Sequence, residues 1–228
     1  KLKNYGIRLD SGDLAYMSKG ARALLDAAGH KEAIISASSD LDETLIADLK
    51  RQGAKITLWG VGTKLITSQD CPAFGGIYKL AAEENEEGIF EPKIKISDNP
   101  EKVTTPGIKT VMRIYDKSTG KIKADLIALA HERFDINKEL VIFDPKATWK
   151  RMKLVPGTYE MKELLVPIFR SGECVYKSPT VMEIRQYCKE ELDSLWDEYK
   201  RLINPAILPV DLSLELYNLK QSMLNEYR

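Results

Sequence analysis

The chain has 228 residues and a mass of 25.8 kDa, enough for one large domain or two small ones with a substantial core. Its 34 basic and 34 acidic side chains balance, so no long-range field favours nucleic acid or a membrane surface, and no apolar run approaches the ~18 residues of a membrane span. Three widely spaced cysteines without a CxxC pair argue against a disulfide framework or a zinc site and favour a reducing cytoplasm.

The first part of the chain predicts alternating strands and helices. Apolar residues at helical spacing begin at Leu14 and stop before Gly29, and a second helix is predicted to open with Asp40 and Glu43 as a capping box. The short connections predict that the strands around these helices are parallel neighbours. The predicted strands span residues 5–10, 33–37 and 55–59.

The remainder of the chain has a different pattern. A further strand is predicted at 75–82, and the short alternating runs between residues 90 and 176, separated by turn signals, indicate antiparallel hairpins. A long helix is predicted from Ser178 and Pro179 to about Ile203, and a last amphipathic helix at 213–227.

Each predicted parallel strand ends in a polar or glycine-containing motif. In barrels and doubly wound sheets, ligands bind at the carboxyl ends of the strands. Carboxylates and hydroxyls there offer hydrogen-bonding groups to a ligand, and a glycine turn followed by a threonine suits a phosphate, although an ordinary glycine turn is the alternative. The three motifs are Asp10-Ser11-Gly12-Asp13, Ser38-Ser39-Asp40 and Gly60-Val61-Gly62-Thr63.

Arg8 lies inside the first predicted strand, two residues before Asp10, so alternation places both side chains on one face. An arginine on the inward face of a barrel strand is costly unless it is paired, which makes a bound carboxylate a plausible counter-ion. A permanent ion pair between Arg8 and Asp10 is the alternative, and both can hold at once.

The other candidate side chains favour structural roles. His30 is predicted to be a solvent-facing residue after a helix, His131 a satisfied structural histidine, and Cys71 a packing residue. Lys64 and Lys79 are predicted to be solvated lysines, with facing an anion as the alternative. Lys93 and Lys95 are predicted to lie on an edge strand at 93–96, where their charges keep the edge soluble.

Four stretches in this order, RLDSGD, SSDLDE, GVGTKLITSQDCPAFGGIYKL and KISDNPEKVTTPG, closely resemble the carboxyl-terminal half of the nicotinate phosphoribosyltransferase family. The resemblance implies an α/β fold, with part of an irregular type II phosphoribosyltransferase barrel followed by an antiparallel β-rich module and carboxyl-terminal helices. The half barrel would occupy residues 1–91 and the flanking domain 92–228.

The family joins nicotinate to phosphoribosyl pyrophosphate, which gives nicotinate mononucleotide, and couples this reaction to ATP hydrolysis with Mg²⁺. The resemblance implies these substrates, ATP and a second subunit as partners, with no metal held by the protein alone. It assigns Arg8 to nicotinate, with Asp10 as the second catalytic residue, and Gly60, Gly62 and Thr63 to the phosphate. The remaining predicted substrate-binding residues are Asp13, Ser39 and Asp40.

The phosphorylated histidine of the family belongs to a segment upstream of Lys1, so the chain is expected to be part of a longer protein and inactive by itself. The three strand-end motifs also fit a non-catalytic phosphate- or nucleotide-binding module from a truncated barrel. A barrel enzyme acting on an unrelated phosphorylated substrate is a third hypothesis, and it predicts no dependence on nicotinate.

Overall fold

The computed structural model describes residues 4–73, 75–99 and 102–226. The chain divides into two compact units, Lys1–Ile77 and Tyr78–Arg228, each with its own buried apolar core. Within the described residues, none of the helices combines the length and the apolar character needed to cross a bilayer.

The amino-terminal unit is an α/β layer structure. Its three strands form a parallel sheet in the order β1-β2-β3, as the strand and helix pattern predicts. Its elements in chain order are β1 (Gly6–Leu9), α1 (Leu14–Ala27), β2 (Ile34–Ala37), α2 (Glu43–Arg51), β3 (Leu58–Trp59) and α3 (Thr63–Ile66).

The core of this unit lies between the sheet and its two longer helices. Ile35 and Ala37 of β2 are fully buried, and Leu14 and Leu49 pack against them from α1 and α2. Ser18 is also fully buried in α1, where its hydroxyl donates to the carbonyl of Ala15 at 3.0 Å and accepts from the amide of Lys55 at 3.0 Å. This hydroxyl therefore joins the helix to the segment that leads into β3.

Two local predictions for this region are wrong. The N-cap of α2 is Asp42, because Ser39 and Asp40 have φ angles of 102° and 47° and an N-cap residue needs extended backbone. No strand forms at 75–81, and only Ala82 of the predicted strand enters a ladder. Ile77 is 82% exposed, so the apolar residues that suggested a strand have no packed surface to cover.

The strands of the second unit are β4 (Ala82–Glu84), β5 (Phe90–Pro92), β6 (Lys109–Asp116), β7 (Ile122–Leu129), β8 (Leu140–Phe143), β9 (Arg151–Leu154), β10 (Tyr159–Glu163), β11 (Phe169–Arg170), β12 (Glu173–Cys174) and β13 (Val210–Leu212). Six of them form one sheet in the order β10-β6-β7-β13-β8-β9, and β4 with β5 and β11 with β12 form two-stranded sheets. The helices of this unit are α4 (Val181–Ser194) and α5 (Leu214–Asn225), with a short 3₁₀ helix at Asp197–Tyr199.

The hairpins are antiparallel as predicted, but β13 joins the sheet parallel to β7. The antiparallel pattern was predicted for residues 90–176, and β13, which lies after them, was not predicted as a strand. Leu212 of β13 pairs with Ile127 on one side and with Phe143 on the other. A strand of three residues carries too little periodicity to be recognised, and only its two neighbours define it.

The helix predicted from residue 178 to about 203 is shorter than expected. It begins after Thr180, which forms a capping box with Glu183, and it ends at Ser194. The indole nitrogen of Trp196 donates to the carbonyl of Ile122 at 2.9 Å, and this contact with the sheet replaces a further helical turn. A contact with β7 therefore decides the end of α4.

The edge strand predicted at 93–96 does not form, since β5 ends at Pro92. The amide of Lys93 still donates to the carbonyl of Ala81 at 2.8 Å, but the ladder does not continue. The ammonium of Lys93 lies 3.4 Å from Glu83 and 3.2 Å from Glu91. The positive charge of Lys93 is therefore paired with the carboxylates of Glu83 on β4 and Glu91 on β5 and is not simply solvated.

Asp211 on β13 predicts a measurable pH dependence of stability. The residue is only 4% exposed, and burial together with the charge of Asp144 raises its pKa from 3.8 to about 6. The folded protein therefore binds this proton more tightly, and the contribution of Asp211 to stability falls as the pH rises from about 4 to about 6. We expect the difference in unfolding free energy, Asp211→Asn minus wild type, to grow across this window and to be constant above it, as measured by urea unfolding. A difference independent of pH would contradict the assignment.

Candidate functional site

The three predicted motifs follow neighbouring parallel strands. Because β1, β2 and β3 run in the same direction, the loops after Leu9, Ala37 and Trp59 leave the sheet at the same edge. The amide of Ser38 donates to the carbonyl of Leu9 at 3.0 Å, and the amide of Gly60 donates to the carbonyl of Ala37 at 2.7 Å. Backbone hydrogen bonds thus continue from one loop base to the next. We call these loops, 10–13, 38–42 and 60–63, the strand-end loops.

Arg8, Asp10 and Ser38 form one connected group. Arg8 Nη2 lies 3.1 Å from Asp10 Oδ2, and Ser38 Oγ donates to Asp10 Oδ1 at 2.5 Å. The predicted ion pair is therefore present. It was expected to be buried, but the side chains of Arg8 and Asp10 are 65% and 55% exposed. Ser38 belongs to the predicted second motif, but Ser39 and Asp40 were the residues of that motif predicted to bind substrate; the position of Ser38 as the first residue after β2 was the available signal.

Asp13 serves as the N-cap of α1. Its Oδ1 accepts a hydrogen bond from the amide of Tyr16 at 2.9 Å. This bond satisfies one of the free amides at the helix start and fixes the end of the first loop. The structure thus gives Asp13 a capping role beside the predicted ligand role.

Ser39 and Asp40 lie exposed in the second loop, and both have left-handed backbone. Non-glycine residues with positive φ are uncommon, and such conformations cost on the order of 1–3 kcal/mol when the surrounding structure imposes them. Two successive residues with positive φ indicate that the contacts of Ser38 and Asp42 at the two ends of the loop, and not local backbone preference, set its conformation. Such strain is frequent at binding sites, and a ligand at this loop stays a prediction.

The third loop contains the two glycines of the predicted phosphate site. A Cβ atom on Gly60 would lie 3.4 Å from the carbonyl oxygen of Ala37, so the loop base packs tightly against the end of β2. A Cβ atom on Gly62 would meet nothing within 4 Å, which shows open space beside this residue. The exposed Thr63 follows as the first residue of α3. The loop is therefore anchored at one end and accessible to a ligand at the other.

A cleft of about 250 Å³ adjoins the third loop and is lined by Val61, Lys64, Asp70 and Cys71, among others. Lys64 is not the solvated lysine that was expected, because its ammonium contacts Asp42 and its side chain is 33% exposed. This hydrogen bond raises the pKa of Lys64 and lowers the pKa of Asp42. The predicted packing role of Cys71 is also wrong, because its thiol is exposed.

The remaining candidates are not part of the strand-end loops. His30 is exposed, as expected, and its Nδ1 lies 3.2 Å from the hydroxyl of Tyr5. His131 Nε2 contacts Glu215 Oε1 at 2.8 Å, so this exposed histidine has a polar partner in the second unit. Lys79 donates to a backbone carbonyl at 2.9 Å.

Comparison with known proteins identifies relatives for most of the chain. A family model described as nicotinate phosphoribosyltransferase C-terminal domain matches residues 108–220. A Bacillus subtilis (strain 168) protein named nicotinate phosphoribosyltransferase is 49% identical over 223 residues, which cover 98% of this chain and 45% of that protein. The Dictyostelium discoideum protein of the same name is 32% identical over 231 residues, covering 95% of this chain and 38% of its own length.

The fold has a counterpart among solved structures. The crystal structure of human nicotinic acid phosphoribosyltransferase matches with a TM-score of 0.70 at 24% identity, over 96% of this chain and 40% of the human chain. The chain thus spans less than half the length of the relatives that it matches. Together the family model, the sequence identities and the expected motifs confirm the resemblance, and the chain belongs to the nicotinate phosphoribosyltransferase family as a carboxyl-terminal region of those proteins.

Proposed function

We propose that this chain is part of a nicotinate phosphoribosyltransferase that forms nicotinate mononucleotide and pyrophosphate from nicotinate and phosphoribosyl pyrophosphate, in NAD biosynthesis. The observation that carries the proposal is the meeting of the three strand-end loops at one edge of a parallel sheet. The names of the relatives support the same reaction.

In this proposal the three loops divide the substrates between them. Gly60, Gly62 and Thr63 offer backbone amides and a hydroxyl to the 5′-phosphate beside open space. Arg8 offers a guanidinium to the carboxylate of nicotinate, and Asp10 orients it through the contact at 3.1 Å. The ribose hydroxyls would be held by the carboxylates and the hydroxyl at the other loops: Asp10, Asp13, Ser39 and Asp40.

The reaction requires mainly positioning and electrostatic stabilisation. The pyridine nitrogen attacks the anomeric carbon as the bond to pyrophosphate breaks, and positive charge develops on the ribose ring. Holding both reactants at the correct distance converts the reaction into an effectively intramolecular step. A carboxylate such as Asp10 near the ring would favour the developing charge, because it already carries a negative charge in a fixed position.

The strand-end carboxylates fit Mg²⁺ only together with a phosphate ligand. Over residues 4–73, 75–99 and 102–226, no group of three or more histidine, cysteine, aspartate or glutamate side chains is placed to hold a metal ion. Mg²⁺ is commonly held by one or two carboxylates, water and substrate phosphates. We therefore assign Mg²⁺ to the pyrophosphate group, with Asp10 or Asp40 contacting its water ligands.

The proposal extends to the longer protein. Residues 1–91 would supply half of a type II phosphoribosyltransferase barrel and 92–228 a flanking domain, within a cytoplasmic homodimer. Coupling to ATP hydrolysis belongs to the proposal through family resemblance, and we assign no residue of this chain to ATP.

Calorimetric titration and turnover assays of the full-length protein test the function. We expect Thr63→Ala to weaken binding of ribose 5-phosphate and nicotinate mononucleotide by about tenfold or more, because a hydrogen bond to a charged group is lost. Arg8→Ala is expected to weaken nicotinate binding by about 100-fold with little effect on ribose 5-phosphate. The matched control is Arg51→Ala, an arginine on α2 whose side chain is 81% exposed.

The outcomes separate the hypotheses. Formation of nicotinate mononucleotide by the wild-type protein, together with both selective losses, supports the enzyme. Phosphate binding without turnover would support the non-catalytic module instead. Binding that neither substitution changes would show that the site assignment is wrong, and turnover without nicotinate would indicate an unrelated phosphorylated substrate.

A further inference from the structure

A single carboxylate connects the starts of two helices in the amino-terminal unit. Asp42 Oδ1 accepts a hydrogen bond from the amide of Leu45 at 2.7 Å and so caps α2. Asp42 Oδ2 accepts a hydrogen bond from the ammonium of Lys64, which lies in the first turn of α3. Residues 38–42 and 60–62 lead directly into these helices, so the contact ties two strand-end loops together.

This ion pair is partly withdrawn from water. The side chains of Lys64 and Asp42 are 33% and 24% exposed, so the interaction is screened less than one between fully exposed side chains. The pKa of Lys64 is raised chiefly by Asp42, with smaller contributions from the charges of Asp40 and Asp70. Lys64 therefore contacts one carboxylate, that of Asp42, and also lies in the field of Asp40 and Asp70.

The hydrogen bond from Lys64 to Asp42 bears on how Lys64 can act at the phosphate loop. One N–H donor of the Lys64 ammonium is used by Asp42, which holds the ammonium beside the start of α2. Its positive charge reduces the negative potential at this edge of the sheet, where an anion has to bind.

We propose that Lys64 is a positioning residue that acts through Asp42, neutralising the acidic edge beside the 60–63 loop so that the 5′-phosphate of the substrate can bind there. The proposal rests on the proposed function, because that function places a phosphate at this loop. In this proposal the backbone amides of the loop and Thr63 contact the phosphate, whereas Lys64 compensates negative charge without contacting the substrate.

Binding of ribose 5-phosphate to the full-length protein tests the proposal. We expect Lys64→Met to raise the dissociation constant for ribose 5-phosphate by about tenfold, the order expected when a unit charge several ångströms from a bound dianion is removed. The dissociation constant for nicotinate is expected to change by less than about twofold, because that ligand is assigned to Arg8. Lys64→Arg, which keeps the charge and the donor, should bind ribose 5-phosphate like the wild type.

A double variant identifies the mechanism. Asp42→Asn keeps a residue that caps helices well and removes the negative charge. Added to Lys64→Met, it should restore ribose 5-phosphate binding to within about threefold of the wild type, because the uncompensated carboxylate is gone. The matched control is Lys55→Met, an exposed lysine on the amino-terminal side of β3, which should leave binding unchanged.

The results distinguish failure of the role proposed for Lys64 from failure of the proposed function. If the wild type binds ribose 5-phosphate and Lys64→Met binds equally well, the role of Lys64 is overturned and the function stands. Failure of the double variant to recover binding also overturns the charge mechanism. If the wild type binds neither ribose 5-phosphate nor nicotinate, the proposed function and the role of Lys64 are both overturned.

Discussion

Replacing Gly6 with alanine is expected to lower the unfolding free energy of the amino-terminal unit by about 2–3 kcal/mol, the upper range for overpacking a close contact. A Cβ atom at this position would lie 2.1 Å from the carbonyl oxygen of Ile34 and 2.8 Å from its Cβ atom. Gly6 pairs with Ile34 across β1 and β2, and a carbonyl in a strand ladder cannot move aside as a flexible side chain can. The two strands would have to separate.

The same substitution is expected to disturb the proposed site. β1 and β2 carry the loops that contain Asp10 and Ser38, and the bond between these side chains requires the strands to stay in contact. We therefore expect Gly6→Ala to weaken ribose 5-phosphate and nicotinate binding together, in contrast to the selective losses predicted for Thr63 and Arg8.

Hydrogen exchange measured by mass spectrometry can localise the effect. In Gly6→Ala, peptides covering β1 and β2 should lose protection, whereas peptides covering β6 and β7 should not change. Gly20→Ala is the control, because a Cβ atom on this helical glycine would meet nothing within 4 Å. That substitution should stabilise α1 by about 0.5–1 kcal/mol, since alanine is the better helix former. Equal stability of Gly6→Ala and the wild type would contradict the close contact.

Replacing Arg113 with methionine is expected to destabilise the second unit by about 3 kcal/mol, as when one partner of a buried ion pair is removed. Arg113 Nε and Nη2 donate to the two oxygens of Asp125 at 2.8 and 2.9 Å, and Nη1 donates to Glu191 at 2.9 Å. The side chains of Arg113, Asp125 and Glu191 are only 21%, 12% and 21% exposed. Without the guanidinium, Asp125 would lose its bidentate partner while poorly solvated. Glu191 would keep the longer contacts with Lys162 at 3.4 Å and with the hydroxyl of Tyr115 at 3.5 Å. These carboxylates, Asp125 first, also raise the pKa of Arg113.

The ion pair between Arg113 and Glu191 helps to hold α4 on the sheet. None of the residues of α4 is buried, so apolar packing contributes little to holding the helix on the sheet. Glu191 of α4 contacts Arg113, and Lys121 donates to the carbonyl of Asp193 at 2.6 Å near the helix end. We expect Arg113→Met to increase hydrogen exchange in α4 before it affects β7.

Urea unfolding measures the loss in stability. Adding Asp125→Asn to Arg113→Met should recover part of it, because one uncompensated charge is removed. Arg185→Met on the exposed face of α4 is the control and should change stability by less than about 0.5 kcal/mol. If Arg113→Met proves as stable as this control, the ion pairs contribute no net stability.

Strand-end residues could be predicted because the information is local. The alternation of strands and helices up to Trp59, and the polar residues that follow each strand, are readable from periodicity and turn chemistry. Parallel pairing then follows from the short connections, and it places Asp10, Ser38 and Gly60 at one sheet edge. The sequence resemblance likewise identifies the family before any coordinates are considered.

Other features depend on partners that are distant in sequence. The ion pair between Asp42 and Lys64 and the end of α4 near Trp196 are each decided by a contact that periodicity does not report. The strand predicted at 75–82 failed for the same reason, because its apolar residues have no surface to cover.

The amino-acid sequence by itself therefore determined the alternation of strands and helices up to Trp59, which loops carry chemical groups, and the family to which the chain belongs. Only the tertiary structure decided which charged groups pair, where β13 enters the sheet, and that Arg8 is exposed. The physical reason is that backbone preference and apolar periodicity act over a few neighbouring residues, whereas ion pairs, helix ends and short strands are selected by the free energy of contacts formed across the fold.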